Sequence, residues 1–266
     1  MTIHYGNTYI PYMLVAIDIG NTNIVIGLFE SELLRDHIRL ATRNNITADE
    51  IGFYITNWLA HLKLSGEAID DVIISSVVPP LTDTLETVAK KHLGCVPLIL
   101  THLIKLPIKI AIDQPEQLGA DRIANAVGGY SKYGGPMIIV DFGTATTFDV
   151  VDDNGTYIGG IICPGPKTSM RELAKKTARL FEIQIEPPDA IVGKSTTAAL
   201  KSGLFYGTVG QVDYIIEKII EDTKFVNPKI IATGGLAKNM EKYSKKINFV
   251  EPTLTLEGLR IISELN

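Results

Sequence analysis

Leu14-Val15-Ala16-Ile17-Asp18-Ile19-Gly20-Asn21-Thr22 and Met137-Ile138-Ile139-Val140-Asp141-Phe142-Gly143-Thr144 carry the same pattern twice in one chain. Each is a short apolar run, then Asp, one apolar residue, Gly, and small hydroxyl or amide residues. The run reads as a buried strand. The Asp falls at its end, where a side chain can leave the core. The Gly lets the backbone turn tightly and approach a ligand. The residues beyond it, which in the second copy continue as Ala145, Thr146 and Thr147, offer N–H and O–H groups to phosphate oxygens. One copy alone is compatible with an ordinary turn. Repetition with matching flanks predicts two similar halves whose facing loops hold a nucleotide triphosphate and its metal.

The surrounding pattern extends this reading. Ile24-Val25-Ile26-Gly27-Leu28-Phe29 is a return strand, so the first loop tips a hairpin. In the second half, strands are expected at 137–141, 147–152 and 156–161, with a turn at Asp153-Asn154-Gly155. Between the halves, Ile51, Ile55, Trp58, Leu59 and Leu62 share one face of a helix over 48–64. A strand at 71–78 ends in Pro79-Pro80, a helix follows over 81–93, and a short strand over 97–100. Residues 105–118, with Pro107 and Pro115, read as an irregular connection. Gly119-Ala120-Asp121-Arg122 opens a helix to about Tyr133, stopped by Gly134-Gly135-Pro136. Asp121 lies in its first turn, where an acid suits the positive end of the helix dipole. Helices over 168–181 and 195–222, a strand at Lys229–Thr233 closed by Gly234-Gly235, and a last helix over about 253–263 complete the chain. This order is α/β with mixed sheets. A Rossmann unit is disfavoured, because no G-x-G-x-x-G follows the first strand and that strand returns as a hairpin. Gly193-Lys194-Ser195-Thr196 imitates the tail of a P-loop but lacks the glycine five residues earlier.

The chain has 266 residues, is 45% hydrophobic and carries a net charge of −5. That supports a large core, and no Lys/Arg-rich block suggests nucleic-acid binding. Cys95 and Cys163 form neither a metal-ligand pattern nor a disulfide framework, and read as reduced thiols of a cytoplasmic protein. His4, His37, His61, His92 and His102 show no zinc spacing. Residues 1–12 lack a signal peptide's basic and apolar regions and are expected to be an extension ahead of the first strand. No apolar run is long enough to span a bilayer.

In order along the chain, Asp18-Ile19-Gly20-Asn21-Thr22-Asn23, Ser75-Ser76-Val77-Val78-Pro79, Leu118-Gly119-Ala120-Asp121-Arg122 and Asp141-Phe142-Gly143-Thr144-Ala145-Thr146-Thr147 form one recognisable set. Gly159-Gly160-Ile161-Ile162-Cys163-Pro164-Gly165, Thr233-Gly234-Gly235-Leu236-Ala237 and Leu254-Thr255-Leu256-Glu257-Gly258-Leu259 continue it. From Met13 to the C-terminus the sequence resembles the type III pantothenate kinases, within the acetate kinase–Hsp70–actin superfamily. The resemblance implies duplicated ribonuclease H-like, actin-like ATPase domains, at 13–117 and 118–266, with a cleft between them. It implies transfer of the ATP γ-phosphoryl group to the primary hydroxyl of pantothenate, the first committed step towards coenzyme A. It also implies Mg²⁺, activation by K⁺ or ammonium, and a homodimer with its active site near the interface.

The same resemblance distributes roles. Asp18 organises Mg²⁺ indirectly, and ATP phosphate contacts run through Ile19, Gly20, Asn21, Thr22, Asn23, Ile24 and Val25, with Thr144 in the second loop. A strand-end cap for Asp18 and a plain hairpin turn are the plainer readings. Asp121 is the candidate general base, and Gly119, Ala120 and Arg122 bind substrate beside it, Arg122 offering a forked donor to the pantothenate carboxylate. A helix-start acid with a surface arginine is the alternative. Asp141 corresponds to a monovalent-cation ligand or, alternatively, to a second Mg²⁺-organising carboxylate. The three aspartates would make an acidic cleft that needs cations before ATP enters. Thr196 matches a threonine that reaches pantothenate on the other subunit, with a helix N-cap as the competing explanation. Two positions depart from the family. Ile112 stands where a substrate-contacting Tyr is frequent, seven residues before Gly119, and Ser195 where Asn is common. Rival readings are a phosphotransferase for another alcohol and a non-catalytic accessory regulator on the same fold.

Overall fold

The computed structural model describes residues 11–176 and 182–266, with the backbone at 4–5 and 8–9. Residues 177–181, the end of the helix expected over 168–181, lie outside the described residues. At the N-terminus, β1 (His4–Tyr5) pairs antiparallel with β2 (Thr8–Tyr9).

The chain forms two compact units. The first comprises residues 1–107, 113–128 and 254–266. Its sheet contains β3 (Met13–Ile19), β4 (Asn23–Glu30), β5 (Leu33–Ala41), β6 (Asp71–Ser76) and β7 (Leu98–Ile99), in the order β5-β4-β3-β6-β7. The β3–β4–β5 meander is antiparallel, while β6 and β7 add in parallel. One face packs Ile17, Ile19, Ile24, Ile26 and Ile74 against α1 (Ala48–His61) and α2 (Pro79–Val88). Thr47 and Glu50 form a capping box that starts α1. Pro79 and Pro80 open α2 rather than merely ending the strand, as proline's fixed φ suits the first helical turn. The helix expected over 81–93 therefore starts earlier, and widens into a π-helical turn at Ala89–Leu93 that stops at left-handed Gly94.

The second unit comprises residues 108–112 and 129–253. Here β9 (Met137–Phe142), β10 (Ala145–Val151) and β11 (Thr156–Pro164) form the antiparallel meander. Parallel to it run β12 (Lys229–Gly234), β13 (Phe249–Val250) and, at the other edge, β8 (Lys109–Ile110). The order is β13-β12-β9-β10-β11-β8. Apart from β8 this repeats the first sheet, with the first strand central, its two hairpin partners on one side and the parallel strands on the other. The long helix α5 (Thr196–Thr223) buries Phe205, Val209, Val212 and Ile216 on one face of this sheet. α4 (Pro166–Lys176) and α6 (Ala237–Glu241) flank the same region.

The units do not follow a cut at 117/118. The last helix, α7 (Leu254–Ser263), packs on β3, β4 and β6 of the first sheet. Its Leu256 lies against Gly27, where a Cβ would come within 2.8 Å of Leu256 Cδ1. The first part of α3 (Ala120–Tyr133) joins that unit too, because α3 and α7 cross almost backbone to backbone. A Cβ on Gly128 would lie 2.7 Å from the Leu254 carbonyl oxygen. Burial against the first sheet therefore overrides chain order. Among the described residues no helix is long and apolar enough to cross a membrane.

Candidate active site

The first loop, Gly20 to Thr22, joins β3 and β4. Gly20 N–H donates to the Asn23 carbonyl at 3.0 Å, Thr42 N–H to the Thr22 carbonyl at 3.0 Å, and Thr42 Oγ1 to the Gly20 carbonyl at 2.7 Å. The second loop, Gly143 and Thr144, joins β9 and β10 and is braced alike. Gly143 N–H donates to the Ala145 carbonyl at 3.0 Å, Gly165 N–H to the Thr144 carbonyl at 3.1 Å, and Thr168 Oγ1 to the same carbonyl at 2.6 Å. Spending the loop carbonyls on these braces orients the backbone for its remaining donors. Neither glycine is needed for a left-handed turn, since among the described residues the positive-φ glycines are Gly94, Gly134, Gly155, Gly159 and Gly234. The sequence argument from a tight turn is corrected here: what glycine supplies is space, for a Cβ on Gly20 would press on the Asn23 carbonyl oxygen at 3.2 Å.

Asp18 sits beside Ser75 in the parallel β3–β6 register, and Ser75 Oγ donates to Asp18 Oδ1 at 2.9 Å. The same strand end carries the third motif. Val77 N–H donates to the Ile19 carbonyl at 3.0 Å, and a Cβ on Gly119 would lie 3.6 Å from Val77 Cγ1. Gly119, Ala120, Asp121 and Arg122 thus start α3 next to the end of β6. Arg122 and Ile123 N–H groups both donate to the Gly119 carbonyl at 3.1 Å, and Arg122 N–H also meets Asp121 Oδ1 at 2.8 Å. Further along, Thr255 Oγ1 of α7 donates to Oδ1 of the fully buried Asn125, at 2.7 Å. Burial pushes the Asp121 carboxyl up from its ordinary value, opposed by the Arg122 N–H and guanidinium charge. A carboxylate partly withdrawn from water yet held by a backbone donor is a proton acceptor of raised basicity.

In the second unit, Asp141 ends β9 beside Thr233 of β12. Gly234, at φ 86°, follows. A Cβ there would intrude on the Asp141 carboxylate and lie 2.7 Å from the Phe142 carbonyl oxygen. The backbone passes so close to Asp141 and Phe142 here that only glycine fits. Thr144 lies in the second loop, but Ala145, Thr146 and Thr147 begin β10, not 147 as the pattern suggested. The Thr146 hydroxyl is buried in the protein and unavailable to a phosphate. Similarly, Ile19 and Ile24 point into the core of the first unit and can offer a ligand only backbone. Val25 lies on the opposite face, in register with Asp18, while Asn21 and Thr22 are exposed at the tip and Asn23 starts β4.

Ser195, not Thr196, is the N-cap of α5, its hydroxyl accepting from Ala198 N–H at 3.2 Å. Thr196 is the first helical residue and exposed. Gly193 packs on that turn, a Cβ there falling 2.7 Å from Ala199 Cα, so the P-loop lookalike is a helix-capping segment. Ile112 belongs to the second unit, half-buried just beyond β8. Ser75, Thr42 and Thr168 carried no assigned role in the sequence reading. For Ser75 and Thr42 a hydroxyl residue at a strand end was the available signal, whereas Thr168 lies within α4.

Two sheets with the same strand order, each opened by a braced polar hairpin, define the actin-like ATPase and sugar-kinase fold. A Sinorhizobium meliloti protein named as a 2-dehydro-3-deoxygalactonokinase superposes with a TM-score of 0.64 at 11% identity, over 94% of this chain and 96% of that one. A Campylobacter jejuni protein named as a Baf family transcriptional activator superposes at 0.57 with 23% identity, over 94% and 97%. At such identities these likenesses speak for the fold. Sequence is more specific. The model of the type III pantothenate kinase family matches residues 14–218. A type III pantothenate kinase of Agathobacter rectalis is 40% identical over 250 residues, 94% of this chain and 96% of the relative. The chain belongs to the type III pantothenate kinase family, whose members phosphorylate pantothenate in coenzyme A biosynthesis.

Proposed function

We propose that this chain transfers the γ-phosphoryl group of ATP to the primary hydroxyl of pantothenate, giving 4'-phosphopantothenate, with Asp121 as the base. The observation that carries the residue assignment is the half-buried Asp121 carboxyl, its pKa pushed up by desolvation, at the start of α3 beside the strand end that bears Asp18. Phosphoryl transfer asks for positioning, charge neutralisation and an acceptor for the alcohol proton. The first loop, Gly20 to Asn23, cradles ATP phosphates through backbone donors. Arg122 binds the pantothenate carboxylate.

Among the described residues no group of three or more His, Cys, Asp or Glu could hold a metal. That fits Mg²⁺, which keeps several waters and binds through one or two carboxylates plus substrate phosphates. Asp18, oriented by Ser75, is the carboxylate for it; Mg²⁺ supplies charge neutralisation at the phosphates. Asp141, near the end of β9 beside Thr233, supplies a carboxylate for K⁺ or ammonium. Thr196 reaches substrate in a homodimer. Its exposure supports this, as do the exposed Ile162, Ile191 and Val192 in the same unit. The cytoplasm supplies ATP and keeps the two free thiols, Cys95 and Cys163, reduced.

The test is turnover of pantothenate with ATP, Mg²⁺ and K⁺, against a panel of other alcohols. Wild type phosphorylates pantothenate, and Asp121→Asn loses on the order of 10²- to 10⁴-fold in kcat while still binding ATP. Product from another alcohol but none from pantothenate overturns the substrate; near-wild-type turnover by the variant removes Asp121 as the base.

A further inference from the structure

The hydrogen-bond register draws a row across the first sheet. Ser75 of β6 lies beside Asp18 of β3, Asp18 opposite Val25 of β4, and Val25 opposite Arg39 of β5. Directly paired residues share a face, so all four stand on the side away from the Ile17, Ile19, Ile24, Ile26, Ile38 and Leu40 core. α7 covers the next row inward, where Leu256 fills the place of a side chain on Gly27. On this face Asp18–Val25 is the last pair of the β3–β4 ladder before the loop. Three residues beyond Arg39, Thr42 ties the end of β5 to that loop through two hydrogen bonds.

Arg39 is exposed. Arg35 is bridged to Glu30, Arg43 to Glu50, Arg171 to Glu182, and Arg260 to Glu257 and Glu264. Among the described residues Arg39 has no such carboxylate. The plain reading is a charged residue guarding an edge strand. Arg35 already does this on the same strand, with its own counter-ion. Arg39 instead shares a row with Asp18, two strand spacings or about 10 Å away. A phosphoryl group over Val25 fits between the two side chains.

We propose that Arg39 binds the terminal phosphoryl group of ATP, clamping it on the side opposite Asp18. This rests on the proposed function in taking ATP as the donor. The guanidinium fork matches two phosphoryl oxygens. As the bond from phosphorus to the β,γ-bridging oxygen breaks and the bond to the alcohol oxygen forms, Asp121 receives the alcohol proton and ADP leaves. Arg39 neutralises charge on the oxygens that move.

The experiment compares Arg39→Gln and Arg39→Lys with Arg35→Gln in the full chain, each checked by circular dichroism. Calorimetry with Mg²⁺ and either ADP or a non-hydrolysable ATP analogue reads the contact without turnover. Arg39→Gln weakens the analogue about tenfold or more and leaves ADP unchanged, since ADP lacks the terminal phosphoryl group. It also lowers kcat on the order of 10²- to 10³-fold; Arg39→Lys recovers part of both, and Arg35→Gln behaves as wild type. Equal loss for both nucleotides, or none for either, overturns the assignment. Failure of wild type to phosphorylate pantothenate strikes the proposed function and leaves the ADP-against-analogue comparison to judge Arg39 separately.

Discussion

Behind each loop the aspartate lies beside a hydroxyl residue of the parallel neighbour strand, Ser75 for Asp18 and Thr233 for Asp141, and the next residue differs, Ser76 in the first unit and Gly234 in the second. Ser75 donates to Asp18, which ties one carboxylate oxygen and sets its direction. In the other unit Gly234, at φ 86°, lets the backbone pass so close to Asp141 and Phe142 that no larger side chain fits. The strand order apart from β8 and the Gly N–H bond are the same in both, and each loop is braced from just beyond its third strand, by Thr42 in one and by Gly165 and Thr168 of α4 in the other. A duplicated frame has thus been kept while the residue after the strand-end hydroxyl differs, a serine in one unit and a close-packed glycine in the other. The loops also differ in length, Gly20 to Thr22 against Gly143 and Thr144.

The largest effect should come from exchanging the aspartates. Asp18→Asn should cost on the order of 10³-fold in kcat whatever the monovalent cation. Asp141→Asn should lower the K⁺-supported rate to the level seen in Na⁺. Rates in K⁺, ammonium and Na⁺ decide; equal losses independent of cation would break the contrast.

Next comes Asp121, which belongs to the first unit alone. Its folded pKa lies above the ordinary value. Protonation therefore stabilises the fold at low pH, and this contribution is lost as pH rises through the folded pKa. Asp121→Asn, inactive, should melt higher than wild type at pH 8, with the gap closing as pH falls towards the ordinary carboxylate range. Differential scanning fluorimetry across pH tests this; a lower melting temperature at pH 8 contradicts the burial argument. In wild type the acidic limb of kcat/KM should lie above the pH expected of an exposed aspartate.

Smaller effects should come from the braces. Thr42→Val and Thr168→Val each remove one hydrogen bond, about 1 kcal/mol or roughly fivefold in the KM for ATP. Matching losses would sharpen the equivalence of the two loops, and an effect at Thr42 only would assign the phosphates to the first. Smallest is the α5 start. Ser195→Ala should lose about 1 kcal/mol of stability as a cap. Thr196→Ala should leave the melting temperature alone and raise the KM for pantothenate a few-fold. A reversal of these two outcomes would exchange the two roles.

Both hairpins and the long helices were legible because apolar periodicity is strong there. β5 was not expected. Its core-facing Ile38 and Leu40 alternate, but Asp36 interrupts the pattern and a register shift at Leu28/Phe29 turns Leu34 to the other face beside Gly27; only the fold shows that Trp58 Nε1 donates to the Asp36 carboxylate at 2.8 Å. β13 and α6 are too short to carry a period. In the site, the aspartates and glycines were readable as types. Their braces were not, because Thr42, Ser75 and Thr168 act through partners 22, 57 and 24 residues away. Nor could spacing assign α7 to the first sheet.

That assignment has a consequence for synthesis. The first unit's sheet, including Leu14, Ala16 and Gly27, has a second apolar surface whose cover, α7, is encoded only after the whole of the second unit. While the ribosome is still reading the second unit, that surface waits bare, and the first unit is finished only once Leu254–Ser263 has been translated. A chain that stopped before this helix would leave the sheet uncovered, which ties quality control of the first unit to a segment read after the second.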